Sequence, residues 1–180
     1  MRLRRLRSEL GDRLRVEWRA FPLRPVPDPT ATFKGTYREE AWKRCRAFAE
    51  PDGIVYNLWA RDDYPNWSLP ALEAAKCVAL QGEAAFERLH LRLYAAFFAD
   101  GRNIANPDEV AQVVSESGAD MARFRADLAG GKARAAVLSD YEDAVTQGVR
   151  AIPTVVLNGG RRIVGLVDFA EYRRVVSARA

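Results

Sequence analysis

Apolar side chains recur every three or four positions through most of the chain, a spacing typical of amphipathic helices. Ser68, Asn106 and Asp168 stand where three of these patterns begin and are suited to cap helix N-termini. The pattern predicts helices over residues 2–10, 37–48, 69–79, 84–99, 107–117, 120–128, 132–147 and 169–176.

Two stretches follow the shorter period of a β-strand. Residues 14–20 alternate apolar and charged side chains, which predicts a half-buried strand. Residues 154–158 form an apolar run that Pro153 precedes and Gly159-Gly160 follows, before a second apolar run. Because proline lacks an N–H, it suits the first position of a strand. The second stretch therefore predicts a β-hairpin entered through an Ile-Pro bend.

Length and composition fit one domain, or a small domain that carries an insertion. The chain has 180 residues, 48% of them hydrophobic and 29% charged. The net charge of +4 is concentrated in residues 1–24, which hold eight arginines against three acidic residues. We therefore expect no nucleic-acid partner, since such proteins spread basic and aromatic residues over a face. The N-terminus lacks a secretory apolar core and no run could span a membrane, so we expect a cytoplasmic protein without a membrane partner.

Few residues offer reactive side chains. Cys45 and Cys77 form no C-x-x-C motif, and His90 is the one histidine, so the sequence predicts no metal site and no catalytic residue within the chain. Cys45 shares a helical face with Tyr37, which predicts a buried, inert thiol. We expect the two cysteines, on separate helices, to form no disulfide with each other.

Several segments resemble those of a known family. Residues 148–165, followed by Phe169, Tyr172 and Val176, resemble the C-terminal half of a thioredoxin fold. Residues 68–76, Gln81-Gly82 and 97–104 resemble the helical insertion of the DsbA-like superfamily, as does the aromatic-Pro-Leu sequence at 21–23. The resemblance implies an α/β fold in which a thioredoxin-like sheet carries an inserted all-helical domain. It places the thioredoxin-like domain at 1–30 and 132–180 and the helical insertion at 31–131.

The resemblance also implies a function. It predicts a thiol–disulfide oxidoreductase whose Ile152 and Pro153, joined by a cis bond, bind a protein or small-molecule thiol or disulfide substrate, so that Pro153→Ala would disturb binding more than stability. The related branch of 2-hydroxychromene-2-carboxylate isomerases and kappa-class glutathione transferases remains an alternative, with glutathione as co-substrate and no other cofactor. A third hypothesis is a non-catalytic module that binds a peptide or a thiol ligand. A homodimer remains an open alternative for the oligomeric state.

One part of the family pattern has no counterpart in this sequence. In the family, a strand and a C-x-x-C or serine-bearing motif precede the first helix, whereas here Met1 falls at that helix. We therefore expect a truncated or wrongly started chain, with the motif encoded upstream. On that reading the 180 residues alone would be unstable and inactive in disulfide reduction, and an extension of roughly 25 to 35 residues would restore folding.

Overall fold

The computed structural model describes residues 1–158 and 160–177, and these form eight α-helices and one two-stranded sheet. The helices are α1 Arg2–Leu10, α2 Tyr37–Ala49, α3 Leu69–Ala79, α4 Glu83–Tyr94, α5 Pro107–Glu116, α6 Met121–Ala129, α7 Lys132–Thr146 and α8 Phe169–Ser177. The strands are β1 Thr154–Val156 and β2 Arg162–Val164. One π-helical turn, Ala95–Ala99, follows α4, and 3₁₀ turns occur at Gly11–Arg13 and Glu50–Asp52.

The described chain divides into two compact units. The hairpin unit comprises Met1–Phe21 and Tyr141–Ala180, and the helical unit comprises Pro22–Asp140. The sequence placed the corresponding breaks at 30/31 and 131/132. Gly159, half of the predicted Gly-Gly turn, and the last three positions of the predicted thioredoxin-like domain lie outside the described residues.

The hairpin unit packs α1 and α8 against one face of the sheet. β1 and β2 are antiparallel, with Val155 opposite Ile163. The buried residues of this core are Leu6, Ile163, Tyr172 and Val175. Because side chains alternate between faces along a strand, Ile163 turns inward to this core while its neighbours turn outward.

The helical unit holds the larger core. α3, α4, α5 and α6 surround fully buried residues that include Val78, Leu89 and Val113. A second cluster of rings lies beside it, in which Phe33 and Trp42 meet edge to face with centroids 4.9 Å apart. Asn106 caps α5 as the sequence predicts, because its side-chain oxygen accepts a hydrogen bond from the Asp108 N–H at 2.9 Å.

Two sequence-based expectations are wrong. The predicted strand at 14–20 pairs with no strand among the described residues, although Leu14 has extended backbone angles. A period-two pattern predicts extended backbone, whereas a strand also needs a partner for its N–H and C=O groups. The periodicity of α3 also predicts an apolar face of Leu69, Leu72, Ala75, Val78 and Ala79. In the structure that face is displaced, because Glu73 and Cys77 are buried whereas Leu72 and Ala75 are only half-buried.

Within the described residues, no helix is both long and apolar enough to cross a membrane.

Candidate functional site

The segment between α7 and β1 is fixed at its start by a glycine turn. Gly148 has φ +73°, a left-handed conformation that favours glycine, and its N–H donates to the Val145 carbonyl at 2.8 Å. The next N–H, that of Val149, donates to the Ala144 carbonyl at 2.8 Å. Arg162 of β2 donates from Nη1 to the Gly148 carbonyl at 3.3 Å. The chain therefore leaves α7 in a defined direction toward the hairpin.

The two residues that the sequence singles out, Ile152 and Pro153, stand at the mouth of this hairpin. The peptide bond between them is cis. The Thr154 hydroxyl donates to the Ala151 carbonyl at 2.6 Å, and the Gly165 N–H donates to the Pro153 carbonyl at 2.8 Å. Pro153 and Gly165 are therefore joined by one hydrogen bond, because proline has no N–H that could donate back to Gly165.

The main-chain groups of Ile152 have no hydrogen-bond partner among residues 1–158 and 160–177. In the part of the chain that the structure describes, neither its N–H nor its C=O makes a hydrogen bond. Its side chain is 46% exposed. A main-chain donor and acceptor on one accessible residue can bind one residue of another extended chain.

The outward face of the hairpin adds an apolar surface next to this loop. Cross-strand partners share a face, so Thr154 and Val164 lie together, as do Val156 and Arg162. Val156 is 43% exposed and Val164 59%. Leu166, which follows β2, is 56% exposed. We call Val156, Val164 and Leu166 the outer hairpin face.

Sequence reasoning missed the outer hairpin face because β1 and β2 carry apolar residues on both sides. A half-buried strand usually shows polar residues on its solvent side. The departure from that rule at Val156 and Val164 was the available signal, since apolar residues that remain exposed side by side mark binding surfaces.

Both cysteines belong to the helical unit. Cys77 is fully buried in the helical core, and burial raises the pKa of its thiol to about 11, with the carboxylates of Asp127 and Glu73 adding to the effect. Cys45 is half-buried, and both thiols are free. The sequence interpretation of Cys45 as buried is therefore corrected, because the face it shares with Tyr37, itself 73% exposed, is turned away from the core.

His90 packs among aromatic rings. The His90 ring lies between those of Phe86 and Tyr94, with centroids 4.9 and 5.0 Å away. Among residues 1–158 and 160–177, no three His, Cys, Asp or Glu side chains are grouped to hold a metal ion.

Comparison with known proteins connects this architecture to a family. A model of the DSBA-like thioredoxin domain matches residues 1–176. Among solved structures, a candidate protein disulfide isomerase from Nitrosomonas europaea superposes with a TM-score of 0.77 at 15% identity, over 98% of this chain and 87% of that one. A probable DsbA oxidoreductase from Streptomyces coelicolor superposes with a TM-score of 0.72 at 21% identity, over 89% and 73%. At these identities the likeness of the two structures shows the fold.

Proposed function

Because this chain belongs to the DSBA-like thioredoxin domain family, we propose that it acts in thiol–disulfide exchange and that its own residues bind the extended substrate. The observation that carries the proposal is the main chain of Ile152, whose N–H and C=O are unpaired among the described residues and stand beside Pro153 at the mouth of the hairpin.

The arrangement supports binding of an extended peptide. One substrate residue in antiparallel orientation would accept from the Ile152 N–H and donate to its C=O. Side chains of that peptide would then contact the outer hairpin face, where Val156 and Val164 offer apolar surface. Main-chain bonds would provide affinity for many sequences, and the apolar face would favour unfolded segments that carry hydrophobic residues.

The reacting thiol of the proposed exchange comes from outside these 180 residues. The sequence has no C-x-x-C motif. Burial holds the Cys77 pKa at about 11, so at neutral pH its thiolate is a minute fraction. In exchange, an incoming thiolate attacks one sulfur of the substrate disulfide, forms a mixed disulfide and releases the other sulfur as a thiolate. The chain described here would hold the substrate during that step.

Two other functions fit the same surface. A glutathione-dependent isomerase or transferase would bind glutathione at the Ile152 main chain, because the tripeptide also offers extended backbone groups. A non-catalytic clamp would bind peptides and take no part in exchange, and the absence of a cysteine pair from the 180 residues favours it. A cytoplasmic location and a homodimer are proposals that rest on the sequence alone.

The proposal is tested by binding of a peptide that cannot react. Fluorescently labelled insulin B chain with alkylated cysteines is titrated with the protein, and anisotropy gives Kd. Val164→Lys should weaken binding about five- to tenfold, because it removes part of the buried apolar area and forces a charge against it. Val145→Lys is the matched control, since Val145 of α7 is 51% exposed in the same unit.

Equal Kd values for the two lysine variants would contradict the proposal. A calorimetric titration with reduced glutathione separates the alternatives. Saturable glutathione binding that competes with the peptide would favour the isomerase or transferase function. Peptide binding without any acceleration of insulin reduction, when a C-x-x-C protein is added in trans, would favour the clamp.

A further inference from the structure

The helical unit contains a cavity that the proposed function does not use. Its volume is about 420 Å³, within the usual range of about 300 to 1,000 Å³ for small-molecule sites. Parts of α3, α5, α6 and α7 line it. Most of the wall is apolar and includes Trp67, Pro70, Val110, Phe124 and Leu128.

Glu73 places one carboxylate in this otherwise apolar wall. Its side chain is 9% exposed. Oε1 accepts a hydrogen bond from Arg134 Nε at 2.7 Å, whereas Oε2 has no hydrogen-bond partner among the residues that the structure describes. Because no described protein group donates to this oxygen, it is available to accept a hydrogen bond from a ligand in the cavity.

Arg134 contributes donors at the edge of the same cavity. Its side chain is 52% exposed, and the guanidinium carbon lies 5.6 Å from the centroid of the Trp67 ring. Its Nε is bonded to Glu73, while its two terminal NH₂ groups donate to no residue in the described ranges. The cavity thus combines an unused acceptor, unused donors and an aromatic wall.

We propose that this cavity binds an uncharged aromatic molecule that carries one hydroxyl group. The hydroxyl donates a hydrogen bond to Glu73 Oε2 and accepts one from a terminal NH₂ group of Arg134, while the ring packs against Trp67 and the apolar wall. A hydroxyl is suited to this position because a single oxygen can both donate and accept.

Charge selects the neutral ligand over its charged analogues. Glu73 and Arg134 already neutralise each other, so the pocket offers no excess charge. A carboxylate would approach the Glu73 carboxylate, and an ammonium would approach the Arg134 guanidinium. Either would also lose its hydration in an apolar cavity without a dedicated counter-ion.

Matched probes test the proposal on the full chain. 4-Methylphenol is compared with its methyl ether 4-methylanisole, which keeps the ring and the oxygen acceptor but has no donor, and with 4-methylbenzoate. Each is titrated while the indole N–H resonance of Trp67 is followed by NMR, with Trp67→Phe to assign that peak. We expect 4-methylphenol to bind at least about tenfold more tightly than either comparator.

Variants locate the effect. Glu73→Gln replaces the unused oxygen by an NH₂ group, so the preference for 4-methylphenol over 4-methylanisole should fall to about threefold or less. Glu142→Gln, at an exposed position of α7, is the matched control and should keep the full preference. Ala111→Leu fills the cavity from α5 and should weaken binding of both probes.

Several outcomes would overturn the proposal. Equal affinity for 4-methylphenol and its methyl ether in the unmodified protein would remove the donor argument. Binding of 4-methylbenzoate more tightly than 4-methylphenol would contradict the proposal. So would the absence of any shift of the Trp67 resonance with every probe at about 10 mM. If Glu73→Gln does not fold, the probe series on the unmodified protein and Ala111→Leu still decide the matter.

Discussion

Leu6 packs against the side of the hairpin opposite the outer hairpin face, and Leu6→Ala should destabilise the hairpin. The side chain has no exposed surface and shares its core with Ile163 of β2. Truncation of a buried leucine to alanine costs about 2 to 5 kcal/mol, because apolar contacts are lost and a cavity remains. A unit of about 60 residues has a typical stability of about 3 to 9 kcal/mol. The substitution therefore removes a large part of the stability available to the hairpin unit.

Hydrogen exchange measured by mass spectrometry gives the assay. Amides of β1 and β2 should exchange from about 30-fold to several thousand-fold faster in Leu6→Ala, which is the factor that 2 to 5 kcal/mol represents. Peptide binding at Ile152 should weaken in parallel, since the hairpin positions that residue. Val113→Ala, at a fully buried position of the helical core, is the control and should accelerate exchange in α5 more than in the hairpin.

Unchanged exchange of the hairpin amides in Leu6→Ala would refute the reasoning. Equal acceleration of β1 and β2 by Leu6→Ala and Val113→Ala would also refute it, because the two cores share no buried residue.

Two further predictions concern the thiols and the acid stability of the helical unit. In the native protein a maleimide should label Cys45 well before Cys77, whose burial raises its pKa, and denaturation should expose two free thiols; a native disulfide would contradict this. Hydrogen bonds from Arg61 lower the pKa of both Glu109 and Asp63 in the folded protein. The two carboxylates therefore stabilise the fold at pH values above their unfolded-state pKa of about 4, and this stabilisation is lost as the pH falls through their lower folded-state pKa values. Arg61→Met should therefore reduce the drop in the free energy of unfolding, measured by urea titration, between pH 7 and pH 3. The reduction should be less than about 1 kcal/mol because the ion pairs are partly exposed, and an unchanged drop would contradict the assignment.

Local signals predicted the elements whose formation depends on local chemistry. The caps at Asn106 and Asp168 follow from their side chains, and the Asp168 carboxylate accepts from the Glu171 N–H at 2.8 Å. Ser68 precedes α3 as predicted, but its side chain makes no cap hydrogen bond. The hairpin follows from Pro153 and the glycines near residue 160. Each of these features is decided by contacts within a few residues, so the sequence pattern contains the necessary information.

Features that depend on distant partners could not be predicted in the same way. The strand expected at 14–20 needs a neighbouring strand that no local pattern supplies. Burial of Glu73 depends on Arg134, which lies 61 positions later and pairs with it. The exposed positions of Val156 and Val164 depend on which face of the hairpin α1 and α8 cover, and both faces carry apolar residues in the sequence.

The main chain of Ile152 is the centre of the proposed function, and its amide proton tests that proposal directly. Hydrogen exchange of the Ile152 amide, followed by NMR, should be fast in the free protein because its N–H has no partner among the described residues. With saturating alkylated insulin B chain it should slow at least about tenfold, while the Gly148 amide, already bonded to Val145, should change little. An Ile152 amide that exchanges equally fast with and without bound peptide would contradict the account.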